Sequence, residues 1–219
     1  MGMNKPFESC WTEVSMGASI GLAQGFKHSG IIKPVIATIG DSTFFHAGIP
    51  PLINAVYHKV PLTIIILDNG WTAMTGFEEN PGTINLNGIT NTKRVDIVEI
   101  CQGCGIEDIQ IIDPYQNKKA AESIMKAIEY PGVSVIVSRR ECALQVKRRK
   151  VKFPQRKINI DKCTGCRICL SSLACPAMVF HPKDTNSKAY MEITSTCFGC
   201  GLCEFTCPTG AIEVIKDGK

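Results

Sequence analysis

Residues 34–70, PVIATIGDSTFFHAGIPPLINAVYHKVPLTIIILDNG, decide the fold. PVIATIGD is a short β-rich run that stops at Gly40-Asp41. PLTIIILDN is an uninterrupted apolar run ending at Asp68-Asn69, the kind of strand buried on both faces of a parallel sheet. Between them, residues 47–58 read as a helix with Pro50 and Pro51 in its first turn, where a missing amide hydrogen costs little. The unit is strand, helix, strand.

Working outward, VSMGASIGLAQGFKHSG (14–30) spaces its small and apolar residues as a helix does and ends on a glycine stop signal. Gly70 to Thr92 is rich in Gly, Thr and Asn and exceeds ordinary connections, which marks it as functional or partly disordered. A helix (Arg94–Cys104), a strand (Ile109–Ile112), a helix (Lys118–Glu129) and a strand (Val133–Val137) follow. This alternation predicts a parallel, doubly wound α/β domain over residues 1–142. Ligands of such sheets sit at the carboxyl ends of strands, where Gly40-Asp41 and Asp68-Asn69 both lie.

The rest of the chain reads differently. The sequence has 219 residues and a net charge of +4. Residues 1–142 hold 11 Lys/Arg against 14 Asp/Glu, whereas 143–160 hold seven basic residues and no acid. The basic excess therefore sits in one stretch, and 143–157 reads as a linker, either a solvated connector or a docking surface for an acidic electron carrier. Eight of the cysteines stand in short CxxC spacings, the pattern of iron–sulfur ligands, and eight thiolates around two such clusters would remove roughly four units of charge, leaving a near-neutral protein and little support for nucleic-acid binding. No run reaches the ~18 to 20 apolar residues of a membrane span, and the N-terminus shows no secretory h-region. The expectation is a cytoplasmic protein away from the membrane.

Eight of the twelve cysteines fall between residues 163 and 207. They form Cys163-Thr-Gly-Cys166-Arg-Ile-Cys169 with Cys175-Pro176, and Cys197-Phe-Gly-Cys200-Gly-Leu-Cys203 with Cys207-Pro208. Close spacing lets one turn wrap three corners of a cubane, and proline turns the chain away. In two-cluster ferredoxins the fourth cysteine of each motif serves the other cluster. On that rule one [4Fe-4S] cluster takes Cys163, Cys166, Cys169 and Cys207, and the other takes Cys197, Cys200, Cys203 and Cys175. Paired zinc sites also use CxxC, but need neither the third cysteine nor Cys-Pro. Five residues instead of three precede Cys175. The runs INID, MVF, AYMEI and AIEVI predict short strands around the clusters, making 158–219 a small α+β bacterial-ferredoxin-type domain.

Gly40-Asp41-Ser42 followed by Asn69 suggests oxygen ligands at adjacent strand ends, suited to Mg²⁺ and a diphosphate, with a helix N-terminus near 47–50 favouring an anion. By itself the pattern fits an Asp turn and a capping Asn equally well.

The segment from Ile39 to Gly76, with PGT at 81–83, resembles the diphosphate-binding domain of thiamine diphosphate enzymes. More narrowly, GDSTFFHAGI, LDNGWTAMTG and the C-terminal ferredoxin domain resemble the 2-oxoacid:ferredoxin oxidoreductases, large subunit of the indolepyruvate type. The resemblance implies a thiamine diphosphate domain truncated at its N-terminus. It implies Asp41 and Asn69 as side-chain Mg²⁺ ligands, Trp71 as a carbonyl ligand, and Gly40, Ser42 and Thr75-Gly76 along the diphosphate. Met16-Gly17 would lie near the pyrimidine. Implied partners are the N-terminal half of the large subunit or a chain carrying it, a small (beta) subunit, external ferredoxin, a 2-oxo acid and coenzyme A. Phe77-Glu78 departs from the polar pair of the family pattern.

Other residues carry open readings. His46 could face the cofactor and act catalytically, or pack at the surface. His28 and His58 end predicted helices, and His181 shows no partner. Cys101 and Cys104 form a lone CxxC that reads as buried or idle thiols, with a metal or redox site as the alternative; Cys10 and Cys142 are ambiguous. Two functions follow: a subunit of an oxidative decarboxylase passing electrons through clusters, or a non-catalytic electron-transfer subunit with a degenerate thiamine domain.

Overall fold

The computed structural model describes residues 3–4, 7–86, 89–151, 153–185 and 187–215. Two compact units divide the chain: one spans Glu13–Val146, the other Met1–Thr12 with Lys147–Lys219.

In the first unit, α1 (Ser19–His28) leads to β1 (Ile36–Gly40), a helical run, β2 (Leu62–Asp68), the two-residue strands β3 (Asn85–Leu86) and β4 (Ile89–Thr90), α4 (Ile97–Gly103), β5 (Asp108–Ile112), α5 (Asn117–Glu129), β6 (Val133–Arg139) and α6 (Ala143–Arg148). The helical run consists of α2 (Asp41–Thr43), a π-helical turn (Phe44–Gly48) and α3 (Ile49–Tyr57). β1, β2, β6 and β5 form one parallel sheet in that order. Alternation along the strands sorts side chains between two faces. Ala37, Ile39, Ile64, Ile66, Val135 and Val137 join Ile20, Leu52 and Ile97 in one core, while Ile65, Ile112 and Ile136 meet Ala120, Ile124 and Ala127 of α5. Helices thus cover both faces, the doubly wound arrangement.

Three element boundaries differ from the sequence expectation. Helix α3 (Ile49–Tyr57) lies where a helix is expected, with Pro50 and Pro51 in its first turn, but α2 and the π turn extend the helical run back to Asp41, so the anion-favouring N-terminus of the run lies at Asp41 and not near residues 47–50. Pro50 and Pro51 fall inside the run, where they cannot donate to the preceding turn, and that turn widens to π geometry. Helix α1 starts only at Ser19, because Gly17 takes φ +86. A side chain at Gly17 would put Cβ 2.6 Å from Ala47 Cβ, so this glycine lets the chain press against the turn after Asp41. Helix α4 starts after Asp96, whose carboxylate accepts from Val98 N at 2.7 Å.

Asp96 also faces Arg139 Nη2 at 3.3 Å, and Arg139 Nε donates to Asp68 at 2.6 Å. One guanidinium thus ties α4 to the ends of β2 and β6. Burial opposes ionisation of Asp96, but the Val98 amide and the Arg139 charge outweigh it and hold the carboxyl below its ordinary 3.8. A depressed acid contributes stability above its unfolded pKa, lost as pH falls through the folded value. Asp96→Ala is therefore expected to cost about 1 kcal/mol at neutral pH through the cap. In thermal melts its difference from wild type should shrink below about pH 4.

In the second unit, β7 (Arg156–Ile158) pairs antiparallel with β10 (Ile212–Val214), and β8 (Met178–His181) with β9 (Tyr190–Ile193). Short helices α7 (Ile168–Leu173) and α8 (Leu202–Thr206) begin within the two CxxCxxC runs and carry their third cysteines, Cys169 and Cys203. The expected linker 143–157 is partly structured, since its start is α6 and Arg156 already belongs to β7; Lys152 lies outside the described residues. The first expected strand, INID, shifts N-terminally to Arg156–Ile158: Asn159 N still donates to Ala211 O at 2.7 Å, but its side-chain oxygen accepts from Asp161 N and turns the chain there. This unit's core is Cys163, Cys169, Cys203, Met178, Met191, Ala211 and Ile212, so thiols stand where a domain of this size needs apolar bulk.

Candidate functional site

At the carboxyl ends of β1 and β2, neighbouring parallel strands bring Gly40-Asp41 beside Asn69-Gly70. Asp41 is 2% exposed. Its Oδ1 accepts from Ser42 N at 2.8 Å; its Oδ2 accepts from Gly70 N at 2.8 Å and Asn80 Nδ2 at 3.1 Å. Burial pushes the carboxyl up, partly offset by these donors. Oδ2 is saturated, whereas Oδ1 keeps a lone pair for another partner. Asn69 Oδ1 accepts from Trp71 N at 2.8 Å, and Asn69 O from Cys142 N at 3.1 Å. A shallow pocket opens here on Asn69, Gly70 and Trp71, walled by Gly82, Arg94 and Arg139.

Asn80 and Thr83 were not legible as site residues in the sequence. Both are buried, and each supports the Asp41 corner. Thr83 Oγ1 accepts from Asn80 N and donates to Gly70 O, both at 2.8 Å, and Asn80 Oδ1 accepts from Gly82 N at 2.9 Å. The available signals were their place in a polar loop too long for a connection and, for Thr83, the PGT at 81–83 that carries part of the resemblance. Thr72 is a second omission: its hydroxyl donates to Ser42 Oγ at 2.9 Å.

The remaining expected residues are placed less uniformly. Gly17 lies against the turn after Asp41, while Met16 is 83% exposed. Thr75-Gly76 sit in an exposed hairpin closed by Thr72 and Glu78, and Thr75 Oγ1 donates to Glu78 at 2.6 Å. Phe77 takes φ +71 there. His46 lies on the π turn, exposed, with Nδ1 donating to Ser42 O at 2.6 Å. That bond leaves Nε2 as the acceptor nitrogen of the neutral ring. His181, expected to lack a partner, pairs with Glu192 at 2.7 Å and stacks on Tyr190, because strand pairing brings Tyr190 opposite it. Cys101 is fully buried, and burial, then Cys104 and Asp96, push its thiol up to about 12. Alkylation of the native chain at about pH 8 should spare Cys101 and label it on unfolding, read by peptide mass spectrometry.

In the second unit the eight cysteines separate into two groups that cross the repeat. Cys163, Cys166, Cys169 and Cys207 line one small cavity. Cys203 lies in the field of Cys200, Cys197 and Cys175, and burial followed by these neighbours pushes it up to about 12. Gly165 and Gly199 both take positive φ, and a Cβ on either would stand under 3.0 Å from neighbouring atoms. Each loop can therefore close round its group only with glycine. The two extra residues before Cys175 are absorbed at the end of α7, where Ala174 turns left-handed (φ +46) and bonds back to Leu170 O. Among the described residues no three His, Cys, Asp or Glu side chains converge on a single metal ion. Two groups of four thiols, each completed by a cysteine from the opposite run, are the donor set that a pair of [4Fe-4S] clusters takes.

Residues 2–138 match the family model described as thiamine pyrophosphate enzyme, C-terminal TPP binding domain. The chain belongs to this family of thiamine pyrophosphate enzymes. A 4Fe-4S dicluster domain matches residues 162–212, so a thiamine domain and a two-cluster domain follow one another in one chain. Over its full length the chain is 40% identical to the indolepyruvate oxidoreductase subunit IorA of Thermococcus kodakarensis and covers 36% of it. It is equally similar to that of Archaeoglobus fulgidus, with 99% of the chain covering 34% of the relative. The chain thus spans about a third of the length of these curated relatives. Among solved structures, a 2-oxoglutarate:ferredoxin oxidoreductase from Magnetococcus marinus superposes with a TM-score of 0.53 at 19% identity, covering 58% of this chain and 46% of that one; this supports the fold. Among the described residues, no helix is long and apolar enough to cross a membrane.

Proposed function

We propose that the chain is the cofactor-holding and electron-exit part of a 2-oxoacid:ferredoxin oxidoreductase of the indolepyruvate type. The observation that carries this reading is the succession, in one chain, of a buried strand-end carboxylate corner and two crossed groups of four cysteines. Bound thiamine diphosphate supplies an electron sink for decarboxylating a 2-oxo acid, and [4Fe-4S] clusters take up electrons one at a time. Asp41 Oδ1 and Asn69 Oδ1 are the oxygens that would hold Mg²⁺, with the Trp71 carbonyl as a third, and Ser42 and the first amides of the helical run would face the diphosphate. The Asn80–Thr83 turn keeps Asp41 oriented. His46 Nε2 is placed to hold or move a proton. The crossed cysteines would seat the clusters.

Relatives named for indolepyruvate at 40% identity support an arylpyruvate as substrate, with coenzyme A as acyl acceptor and external ferredoxin as electron acceptor. The missing length of those relatives supports a partner region, on the same or another chain, and a small subunit. Iron–sulfur seats and free thiols fit an anaerobic cytoplasm.

A second reading, a non-catalytic electron-transfer subunit, is favoured by one contact: Glu78 occupies the Thr75 hydroxyl and places a carboxylate beside an expected phosphate-lining segment. Anaerobic reconstitution with candidate partner chains separates the two. Reduction of a viologen dye that requires both an arylpyruvate and coenzyme A is expected. Absence of thiamine diphosphate binding in the full assembly would sink the enzyme reading.

A further inference from the structure

The two halves of the cysteine repeat serve as controls for each other, and they differ just after the second cysteine of each run. That residue is Arg167 in the first half and Gly201 in the second. Both have left-handed backbone, with φ +61 and φ +81. Glycine adopts this conformation freely, whereas a residue with a Cβ is strained there. Arginine at such a position points to a use for its side chain.

Arg167 lines the same cavity as Cys163, Cys166, Cys169 and Cys207. Its guanidinium lies 4.8 Å over the Phe180 ring, and among the described residues no carboxylate pairs with it. The second half also has an arginine: Arg156 donates to Gly199 O at 2.5 Å, and its Nη2 lies where a side chain at Gly201 would project. That charge, however, is paired with Glu204 at 2.5 Å. One cysteine group therefore has an unpaired positive charge beside it, and the other a neutralised pair. Contacts to sulfur lean the same way. Cys207 Sγ accepts from Ala211 N at 3.2 Å and faces the Thr209 hydroxyl at 3.5 Å, while Cys197 Sγ accepts from Gly199 N at 3.3 Å.

We infer that Arg167 sets the order of the two clusters. Its charge raises the reduction potential of the cluster seated on Cys163, Cys166, Cys169 and Cys207 above that of the cluster on Cys197, Cys200, Cys203 and Cys175. This rests on the two-cluster reading of the domain. Reduction adds one negative charge to a cluster, so a nearby cation and hydrogen bonds to its sulfurs favour the reduced form. One electron passes from the second seat, which is oxidised, to the first, which is reduced; no bond is made or broken. Cys166 is exposed, so the electron comes to rest at the seat that reaches the surface, where an external one-electron carrier can collect it.

The test is an anaerobic redox titration, followed by electron paramagnetic resonance, of the whole chain reconstituted with iron and sulfide. Wild type should show two one-electron waves. R167Q, which keeps length without charge, and R167G, which matches the repeat, should both lower the higher wave only, by roughly a tenfold shift in electron distribution, 59 mV for one electron. R167K should leave it in place, and added salt should narrow the gap between wild type and R167Q. A shift of the lower wave, of neither wave, or in R167G but not R167Q (backbone strain alone) would overturn the inference while leaving two clusters in place. Uptake of fewer than two clusters would overturn the two-cluster reading itself and the inference with it.

Discussion

Asp41→Ala should abolish binding of Mg²⁺ and thiamine diphosphate, and Asn80→Ala should weaken it by about 10- to 100-fold. The carboxylate is 2% exposed and held by three donors from different parts of the chain. Alanine removes the charge a hard cation needs, whereas loss of Asn80 leaves the charge but frees its orientation. Stability should move much less than binding in Asp41→Ala. The stranded Ser42, Gly70 and Asn80 donors cost about 1–3 kcal/mol each if they stay dry, but removal of a buried, ionised carboxylate offsets part of that. Calorimetric titration of thiamine diphosphate into the partner-reconstituted protein, beside thermal melts, separates the two effects. Full retention of binding by Asp41→Ala would move the diphosphate elsewhere.

Removing iron and sulfide should unfold Lys147–Lys219 while leaving Glu13–Val146 folded. The first unit owns an apolar core on both faces of its sheet. The second has Cys163, Cys169 and Cys203 among its few buried residues. Below about 70–80 residues a small core rarely suffices without a staple, and a bound inorganic group contributes its binding energy to folding. Hydrogen exchange after anaerobic chelation should show protection lost in β7–β10 and kept in β1, β2, β5 and β6. The crossed pairing adds a sharper form. Cys207→Ser should eliminate one cluster signal and Cys175→Ser the other, although each residue belongs by sequence to the opposite run. Protection of the second unit without clusters would show that its thiols pack as ordinary core.

The parallel sheet was legible because buried strands write continuous apolar runs, as in Leu62–Asp68, and helices write a different period. The cysteine repeat was legible because iron ligation demands fixed short spacings. Boundaries were less so. Pro50-Pro51 marked the first turn of α3, yet the helical run continues back through the π turn to Asp41, where Gly17 packs on Ala47, a contact between distant segments that no local pattern shows. Asp96 looks like any loop acid until β6 delivers Arg139 to it.

The sequence by itself determined which residue types carry the chemistry: the strand-end Asp41 and Asn69 and the eight spaced cysteines, since local spacing and periodicity are properties of a single segment. Tertiary structure alone decided what surrounds them. Asn80 reaches Asp41 across 39 residues and Glu204 neutralises Arg156 across 48, while Arg167, at the place that Gly201 holds in the other half of the repeat, has no carboxylate partner among the described residues. Such pairings depend on where the fold brings remote side chains, and it is they that set the orientation of a ligand and the field around a cluster.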